Sequence, residues 1–230
     1  VVVSSAATGL GVGKLQIARP QDMVTKQAAA AVGQCELMYT YDRLFGQYNH
    51  TVAQMLLTWE DFDHENRRVN LHNTLERLLE LGAIPIINEN DPIACEEYSL
   101  GDNDTLAALV AECIHADLVI LLSDIDGLYT ADPHTHPDAR LIPLVESITP
   151  DIAELAGGAG SALGTGGMAT KISAARRATA AGVDLIIANG AHALLTQPDQ
   201  LAILRERPDL LPGAIEELMR VQTPVVAGSD

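Results

Sequence analysis

Gly157-Gly158-Ala159-Gly160-Ser161-Ala162-Leu163-Gly164-Thr165-Gly166-Gly167-Met168-Ala169-Thr170-Lys171 runs directly into the alanine-rich stretch Ile172 to Ala181. The pattern reads as a glycine-dense loop that enters a helix. Glycine lets a backbone turn and approach a bound group without a side-chain clash. A helix start offers unpaired N–H groups and a partial positive charge, a pairing that suits a phosphate. Lys171, placed where the helix is expected to begin, can reach phosphate oxygens as a mobile point charge. The plain alternative is an ordinary loop followed by an exposed lysine.

The flanking segments set the fold. Downstream, Val183 to Ala188 reads as a strand with Asn189-Gly190 at its end. Upstream, a short helix and a proline-rich loop (Asp132 to Pro143) separate the glycine run from Leu118 to Leu122, the most apolar strand pattern of the chain. That strand ends in Ser123-Asp124-Ile125-Asp126-Gly127. Before it, Thr105 to His115 is a predicted helix. Ile84-Pro85-Ile86-Ile87 is a predicted strand, with proline near its first position, where it is tolerated. Asn88-Glu89-Asn90-Asp91 follows at its end, and Gly101-Asp102-Asn103-Asp104 shortly after. Glu65 to Leu81 is a predicted helix with Leu71, Leu75, Leu78 and Leu79 on one face and Gly82 as its stop. Thr51 to Thr58 reads as a buried parallel strand. Gln21 to about Tyr48 reads as one long helix or a pair, with a middle (Gln27 to Gln34) small enough to pack closely on a sheet or a partner helix. Val1 to Ser4 is a short strand that delivers Ser4 and Ser5 to its end. Strands alternating with helices predict an α/β domain with a mainly parallel sheet. Polar clusters fall at the C-terminal ends of nearly all these strands, where open α/β sheets bind ligands.

Composition narrows the function. The 230 residues carry 14 Lys and Arg against 31 Asp and Glu, a net charge of −17, which argues against nucleic acid as a partner. A hydrophobic fraction of 47% is that of a folded chain. An acidic protein that binds phosphates needs local positive help, and the only lysines are Lys14, Lys26 and Lys171. Cys35, Cys95 and Cys113 lack metal-type spacing and read as buried or neutral thiols in a reducing compartment. There is no membrane-length apolar run and no leader pattern, so the expectation is a soluble, cytoplasmic protein. Thr8-Gly9-Leu10-Gly11-Val12-Gly13-Lys14 fails as a P-loop, because Thr8 stands where glycine is needed and Leu15 where Ser or Thr is needed. It also fails as a dinucleotide fingerprint, whose third glycine falls at Lys14. His134 and His136 read as exposed loop residues, and no residue is assigned as a metal ligand. No Ser-His-Asp arrangement can be assembled.

The acidic and amide clusters have a chemistry of their own. Carboxylates accept hydrogen bonds from an ammonium, while Asn NH2 groups and helix N-termini donate to a carboxylate, so together they suit a zwitterion. Carboxylates near phosphates also suit Mg2+, which prefers oxygen ligands and keeps several waters. Each acidic residue has a structural alternative as a turn or helix cap; Asp102 or Asn103 can simply cap the following helix. Asp124 at its strand end can touch a nucleotide or cap a turn.

The blocks Lys26-Gln27-Ala28-Ala29-Ala30-Ala31-Val32-Gly33-Gln34, Pro85-Ile86-Ile87-Asn88-Glu89-Asn90-Asp91, Gly101-Asp102-Asn103-Asp104, Asp126-Gly127-Leu128-Tyr129-Thr130-Ala131-Asp132-Pro133 and Gly164-Thr165-Gly166-Gly167-Met168-Ala169-Thr170-Lys171 resemble the amino acid kinase family, in its glutamate 5-kinase branch. The resemblance runs over roughly residues 1–190, with 197–230 divergent. It implies a three-layer αβα sandwich with a mainly parallel central sheet, a single kinase domain over 1–230 and no PUA domain. It implies a transferase of proline biosynthesis that phosphorylates the side-chain carboxylate of L-glutamate with ATP and Mg2+. By position, Ser5, Asp91 and Asn103 would hold glutamate. Ser123 and Asp124 would contact ATP, the run Thr165, Gly166, Gly167, Met168, Ala169, Thr170 and Lys171 would wrap its phosphates, and Lys171 would face the transferred group. Feedback inhibition by proline and a homo-oligomer, dimer or tetramer, are also implied.

Three departures from the family pattern stand out. The family's Lys-x-Gly-Ser/Thr turn lies ahead of the position of Val1, so the N-terminal strand is expected to be missing. Ser5-Ala6-Ala7 replaces the usual Ser-Gly-Ala and puts a Cβ beside the substrate path. The closing Gly-Thr-x-Phe strand is absent. The rival readings are a kinase of the same fold with another small substrate, and a relative that binds nucleotide or amino acid without transfer.

Overall fold

The computed structural model describes residues 1–94, 102–123, 125–133, 135–156, 167–189 and a strand at 225–226. Asp124, His134, Thr165, Gly166, Cys95 and most of the central glycine run and C-terminal part therefore lie outside the described residues. The chain divides into two units, Val1–Leu106 and Ala107–Asp230.

The first unit holds a three-stranded parallel sheet in the order β1 (Val2–Val3), β3 (Ala83–Glu89), β2 (Thr51–Leu57). Between β1 and β2 come α1 (Ala7–Leu15) and α2 (Met23–Gly46). Between β2 and β3 come α3 (Glu60–Asp63) and α4 (Glu65–Glu80). Every residue of β2 pairs with β3, from Thr51↔Ala83 to Leu57↔Glu89. The Ser4 N–H donates to the Ile87 carbonyl at 2.8 Å, and the Asn90 N–H donates to the Leu57 carbonyl at 2.8 Å. Odd-numbered residues of β3 therefore face β1 and even-numbered ones face β2. Pro85, expected near the strand start, sits third in a central strand. Its missing N–H is on the β1 side, ahead of the paired residues Val2 and Val3, so the full β2 ladder is kept.

The glycine run Thr8 to Lys14 is helical, and its glycines set how closely α1 approaches α2. A Cβ on Gly11 would lie 1.7 Å from the Ala29 carbonyl oxygen, and one on Gly33 would lie 1.7 Å from that of Ala7. The small middle of α2 is thus used against a partner helix, one of the two uses its composition allows. Backbone atoms rather than mobile side chains block both positions. Gly33→Ala is expected to destabilise the protein by about 3 kcal/mol, at the upper end of overpacking penalties. Urea unfolding of the variant checks this. Asp22 caps α2, its Oδ1 accepting from the Thr25 N–H at 2.8 Å.

On α4, Leu71 and Leu75 are buried, but Leu78 is half-buried and Leu79 is 43% exposed. The expected four-leucine face is therefore narrower. Leu71, Leu75 and Leu78 form the stripe turned inward, and Leu79 lies at its exposed edge. Gly82 stops the helix in the left-handed region at φ 72°, as expected.

α5 (Asn103–Cys113) crosses from the first unit to the second. The second unit continues with β4 (Leu118–Leu122), β5 (Leu144–Val145), α6 (Pro150–Ala156), α7 (Met168–Ala180), β6 (Asp184–Ala188) and β7 (Val225–Val226). Its sheet has the order β4-β6-β7-β5, with β4 and β6 parallel in register from Leu118↔Asp184 to Leu122↔Ala188. The β6–β7 pair is antiparallel. The two-residue β5 carries too little pattern to be read from sequence. Ala108, Val119, Leu121, Ala175, Leu185 and Ile187 lie at the centre of this unit's core. Small alanines on α5 and α7 let the helices approach the sheet closely, consistent with a chain poor in aromatics.

Candidate active site

In the first unit, the C-terminal ends of β1 and β3 are neighbours and carry the polar residues. Ser4 is held by Tyr41 of α2, whose hydroxyl donates to the Ser4 Oγ at 2.8 Å. Tyr41 is itself stacked on Phe45, with centroids 6.2 Å apart. Ser5 follows and is exposed. Ala6, the residue that replaces glycine in the family pattern, adopts φ 85° and ψ −1° at the start of α1. An L-residue with a Cβ is strained there by about 1–2 kcal/mol. Ala6→Gly is expected to stabilise the protein by about 1 kcal/mol, after allowing for glycine's greater freedom when unfolded. A rise in the urea midpoint at unchanged slope is the readout.

At the end of β3, Asn88 is 4% exposed and its Oδ1 accepts from the Glu89 N–H at 2.8 Å. Asp91 follows within one turn. Burial, and then the neighbouring Glu89 charge, push its carboxyl up from 3.8 to about 6. A half-buried carboxylate of this kind can accept hydrogen bonds from an ammonium group. Asp102 proves to be a cap: its Oδ1 accepts from the Thr105 N–H at 2.7 Å and its Oδ2 from the Thr105 hydroxyl at 3.1 Å. Asn103 is then the first residue of α5, half-buried. Ser5, Asp91 and Asn103 all belong to the first unit.

In the second unit, the Ser123 N–H continues the β4–β6 ladder by donating to the Ala188 carbonyl at 2.9 Å. α7 starts at Met168, one turn earlier than expected. Gly167 is its extended N-cap, and Thr170 turns its hydroxyl onto the Gly167 carbonyl at 2.7 Å. Met, Ala and Lys are good helix formers, so the helix extends back to the glycine even with the β-branched Thr170 in its first turn. Met168, Ala169, Thr170 and Lys171 therefore form the first turn of α7 rather than a loop. No side chain caps this end. The Thr170 N–H donates to the Gly167 carbonyl at 3.1 Å, so the anion-binding property argued from the sequence rests on the amides ahead of it. Lys171 is half-buried.

Sequence reasoning missed a clasp in this unit. The Asp126 carboxylate accepts from Asn189 Nδ2 on Oδ1 at 3.1 Å and from the Tyr129 hydroxyl on Oδ2 at 3.2 Å. It ties the loop after β4 to the end of β6. Burial and Asp126 raise the Tyr129 pKa, which keeps the phenol a donor. Asn189 is buried, a signal that its place after an apolar strand could have given. Of the other lysines, Lys14 is paired with Glu36 on the surface. Cys35 is an exposed free thiol on the outer face of α2, whereas Cys113 is buried. Among the described residues no group of three His, Cys, Asp or Glu side chains is placed to hold a metal ion. A surface depression of about 370 Å3 is lined by Asn70, Asn73, Thr74, Arg77 and Leu78, all on α4 and none at a strand end. No described helix is long and apolar enough to cross a membrane.

Comparison with known proteins gives the family. The model of the amino acid kinase family matches residues 1–189. Glutamate 5-kinase of Clostridium perfringens is 52% identical over 195 residues, which span 83% of this chain and 72% of that protein. The enzyme of that name from Clostridium tetani is 54% identical over 192 residues, with the same coverage. That of Moorella thermoacetica is 53% identical over 194 residues, 84% of this chain and 51% of its own length. Among solved structures, the isopentenyl phosphate kinase of T. acidophilum shares the fold with a TM-score of 0.55 at 14% identity, over 84% of this chain and 74% of that one. E. coli aspartokinase III, in complex with aspartate and ADP, gives 0.52 at 16% identity, over 79% and 41%. Identities this low speak for the fold alone. That fold is the α/β architecture with parallel strands expected from the alternating pattern, and with the family match over most of its length, this chain belongs to the amino acid kinase family.

Proposed function

We propose that this chain transfers the γ-phosphoryl group of ATP to the side-chain carboxylate of L-glutamate, forming γ-glutamyl phosphate, as the first step of proline biosynthesis. The observation that carries the reading is identity above one half to glutamate 5-kinases over more than 190 residues. Ser5, Asp91 and Asn103 bind glutamate, with Asp91 taking the ammonium and the hydroxyl and amide donors taking the α-carboxylate. Ser123, Asp124 and the run from Thr165 to Lys171 bind ATP.

The acceptor carboxylate is already ionised at neutral pH, so no general base is required. Its oxygen attacks the γ-phosphorus in line, the bond to the β,γ-bridging oxygen breaks, and ADP leaves. Catalysis is then positioning and charge neutralisation, with Lys171 and first-turn amides of α7 supplying the positive field. Mg2+ enters as part of the nucleotide substrate, held by phosphates and water rather than by a dedicated side-chain cage.

The same reading includes a cytoplasmic enzyme, one kinase domain made from both units, inhibition by proline in the Asn88–Asp104 region, and assembly into a dimer or tetramer. On α2, Val24, Ala28, Ala31, Cys35 and Tyr39 are exposed on one face and are available for that assembly. ADP release measured with glutamate, aspartate, N-acetylglutamate and isopentenyl phosphate as acceptors tests the substrate. Release dependent on glutamate alone supports the proposal. Turnover with another acceptor assigns a different kinase, and nucleotide binding without turnover assigns a binding protein.

A further inference from the structure

Among the described residues, the only buried side-chain atoms that lack a hydrogen-bond partner are Oε1 and Nε2 of Gln34. Gln34 is 5% exposed. An unpaired amide in the interior is destabilising, and an apolar side chain of the same shape removes the penalty. The fold keeps the amide nonetheless.

Its place on α2 suggests what it serves. Gln27, Gln34 and Tyr41 are spaced by two helical turns and share a face. Gln27 Nε2 donates to the Ala94 carbonyl at 3.1 Å, in the segment that follows Asp91. Tyr41 donates to Ser4, the neighbour of Ser5, at 2.8 Å. Gln34 lies between these two contacts, on the face that serves both segments. The adjoining Gly33 is a point of closest approach to α1, at Ala7.

α1 carries a second, independent sign of tension. It opens on a non-glycine residue in left-handed conformation, Ala6 at φ 85°. Its start has no side-chain cap. The strain at Ala6 and the unbonded amide of Gln34 therefore fall at neighbouring points of the α1–α2 pair, Gln34 being next in sequence to Gly33, which meets Ala7. Such violations of local rules, kept together, mark places where another conformation is used.

We infer that Gln34 is a positioning residue for this turn: when the amino acid binds, the Ser4–Ala7 segment shifts and the Gln34 amide takes up hydrogen bonds with its backbone. A primary amide has both a donor and an acceptor, which match the N–H and C=O of a peptide. In the unliganded protein the amide is unspent; in the liganded protein it favours the shifted turn. Gln34 thereby couples α2 to the amino acid site without touching substrate. The inference rests on the glutamate-binding role proposed for Ser5 and Asp91.

Gln34→Met keeps the length and volume and removes the polar atoms. It is expected to raise the melting temperature of the unliganded protein, raise KM for glutamate about fivefold or more, and leave KM for ATP within about twofold. Smaller thermal stabilisation by saturating glutamate should accompany the change. A higher melting temperature with an unchanged KM for glutamate would make the amide a packing defect and overturn the inference. A lower melting temperature would show that the amide is bonded in the unliganded protein, which overturns it as well. Equal rises in both KM values would mean general damage and also overturn it. A wild-type protein with no response to glutamate removes the functional reading, and this inference with it; a responsive wild type with a silent Gln34→Met removes only the inference.

Discussion

Lys171→Ala is expected to lower kcat by about 1,000-fold while glutamate still binds with near wild-type affinity. The magnitude follows from charge. The transferring phosphoryl group carries negative charge on its equatorial oxygens, and a fixed cation next to it stabilises the transition state more than the ground state. Lys171 stands in the first turn of α7, where the helix dipole adds to its field. It is one of only three lysines in a chain of net charge −17, and Lys14 is already paired with Glu36. Lys171 is the only lysine in the sequence of the second unit. Rapid-quench measurement of the transfer step, with glutamate affinity followed by thermal shift, separates the two effects. Normal turnover in Lys171→Ala would mean that the glycine run is not the phosphate site.

Asp91→Asn is expected to raise KM for glutamate about 100-fold, with KM for ATP nearly unchanged, because a partly desolvated carboxylate facing an ammonium is lost. Asn103→Ala should act in the same direction with a smaller effect. A pH dependence comes with the charge. In the unliganded fold, burial and Glu89 raise Asp91 from 3.8 to about 6. The raised value means that the protonated acid suits the unliganded fold. The stability this gives is fully present below about pH 4 and is lost as pH rises through about 6. Glutamate requires the ionised form. Its affinity should therefore fall as pH drops below about 6, reaching about a tenth of its neutral value near pH 5. Asp91→Asn should flatten this profile while leaving ATP affinity as pH-independent as in the wild type. A profile that stays bent in the variant would place the titrating group elsewhere.

Much of the architecture is legible in the sequence because periodicity and strand ends agree. The apolar run Leu118–Leu122 and the Val183–Ala188 stretch pair as β4 and β6, and the Gln21–Tyr48 region yields the single helix α2. What escapes the sequence depends on tertiary approach. The glycines at 9, 11 and 13 look like a loop motif, yet the closeness of α1 to α2 makes helix the use for which Gly11 is needed. Pro85 reads as a residue of the strand start, because the direction of its missing N–H can be known only from register. Of the site, the clusters at the ends of β1, β3 and β4 can be read directly, since their polarity interrupts apolar runs. Asp102 can be narrowed only to cap or ligand until its bonds to Thr105 are seen. The Asp126–Asn189 clasp joins residues 63 positions apart, a contact that no local pattern encodes.

Glutamate phosphorylation itself is tested most directly by incubating the protein with ATP, Mg2+ and glutamate in the presence of hydroxylamine. Attack of hydroxylamine on an acyl phosphate gives a hydroxamate, which forms a coloured complex with ferric iron. γ-Glutamyl hydroxamate that requires both ATP and glutamate, forms in step with ADP and is lost in Lys171→Ala is the result expected here. ADP formation without hydroxamate, or equal ADP formation with glutamate omitted, would contradict the assignment of glutamate as the phosphoryl acceptor.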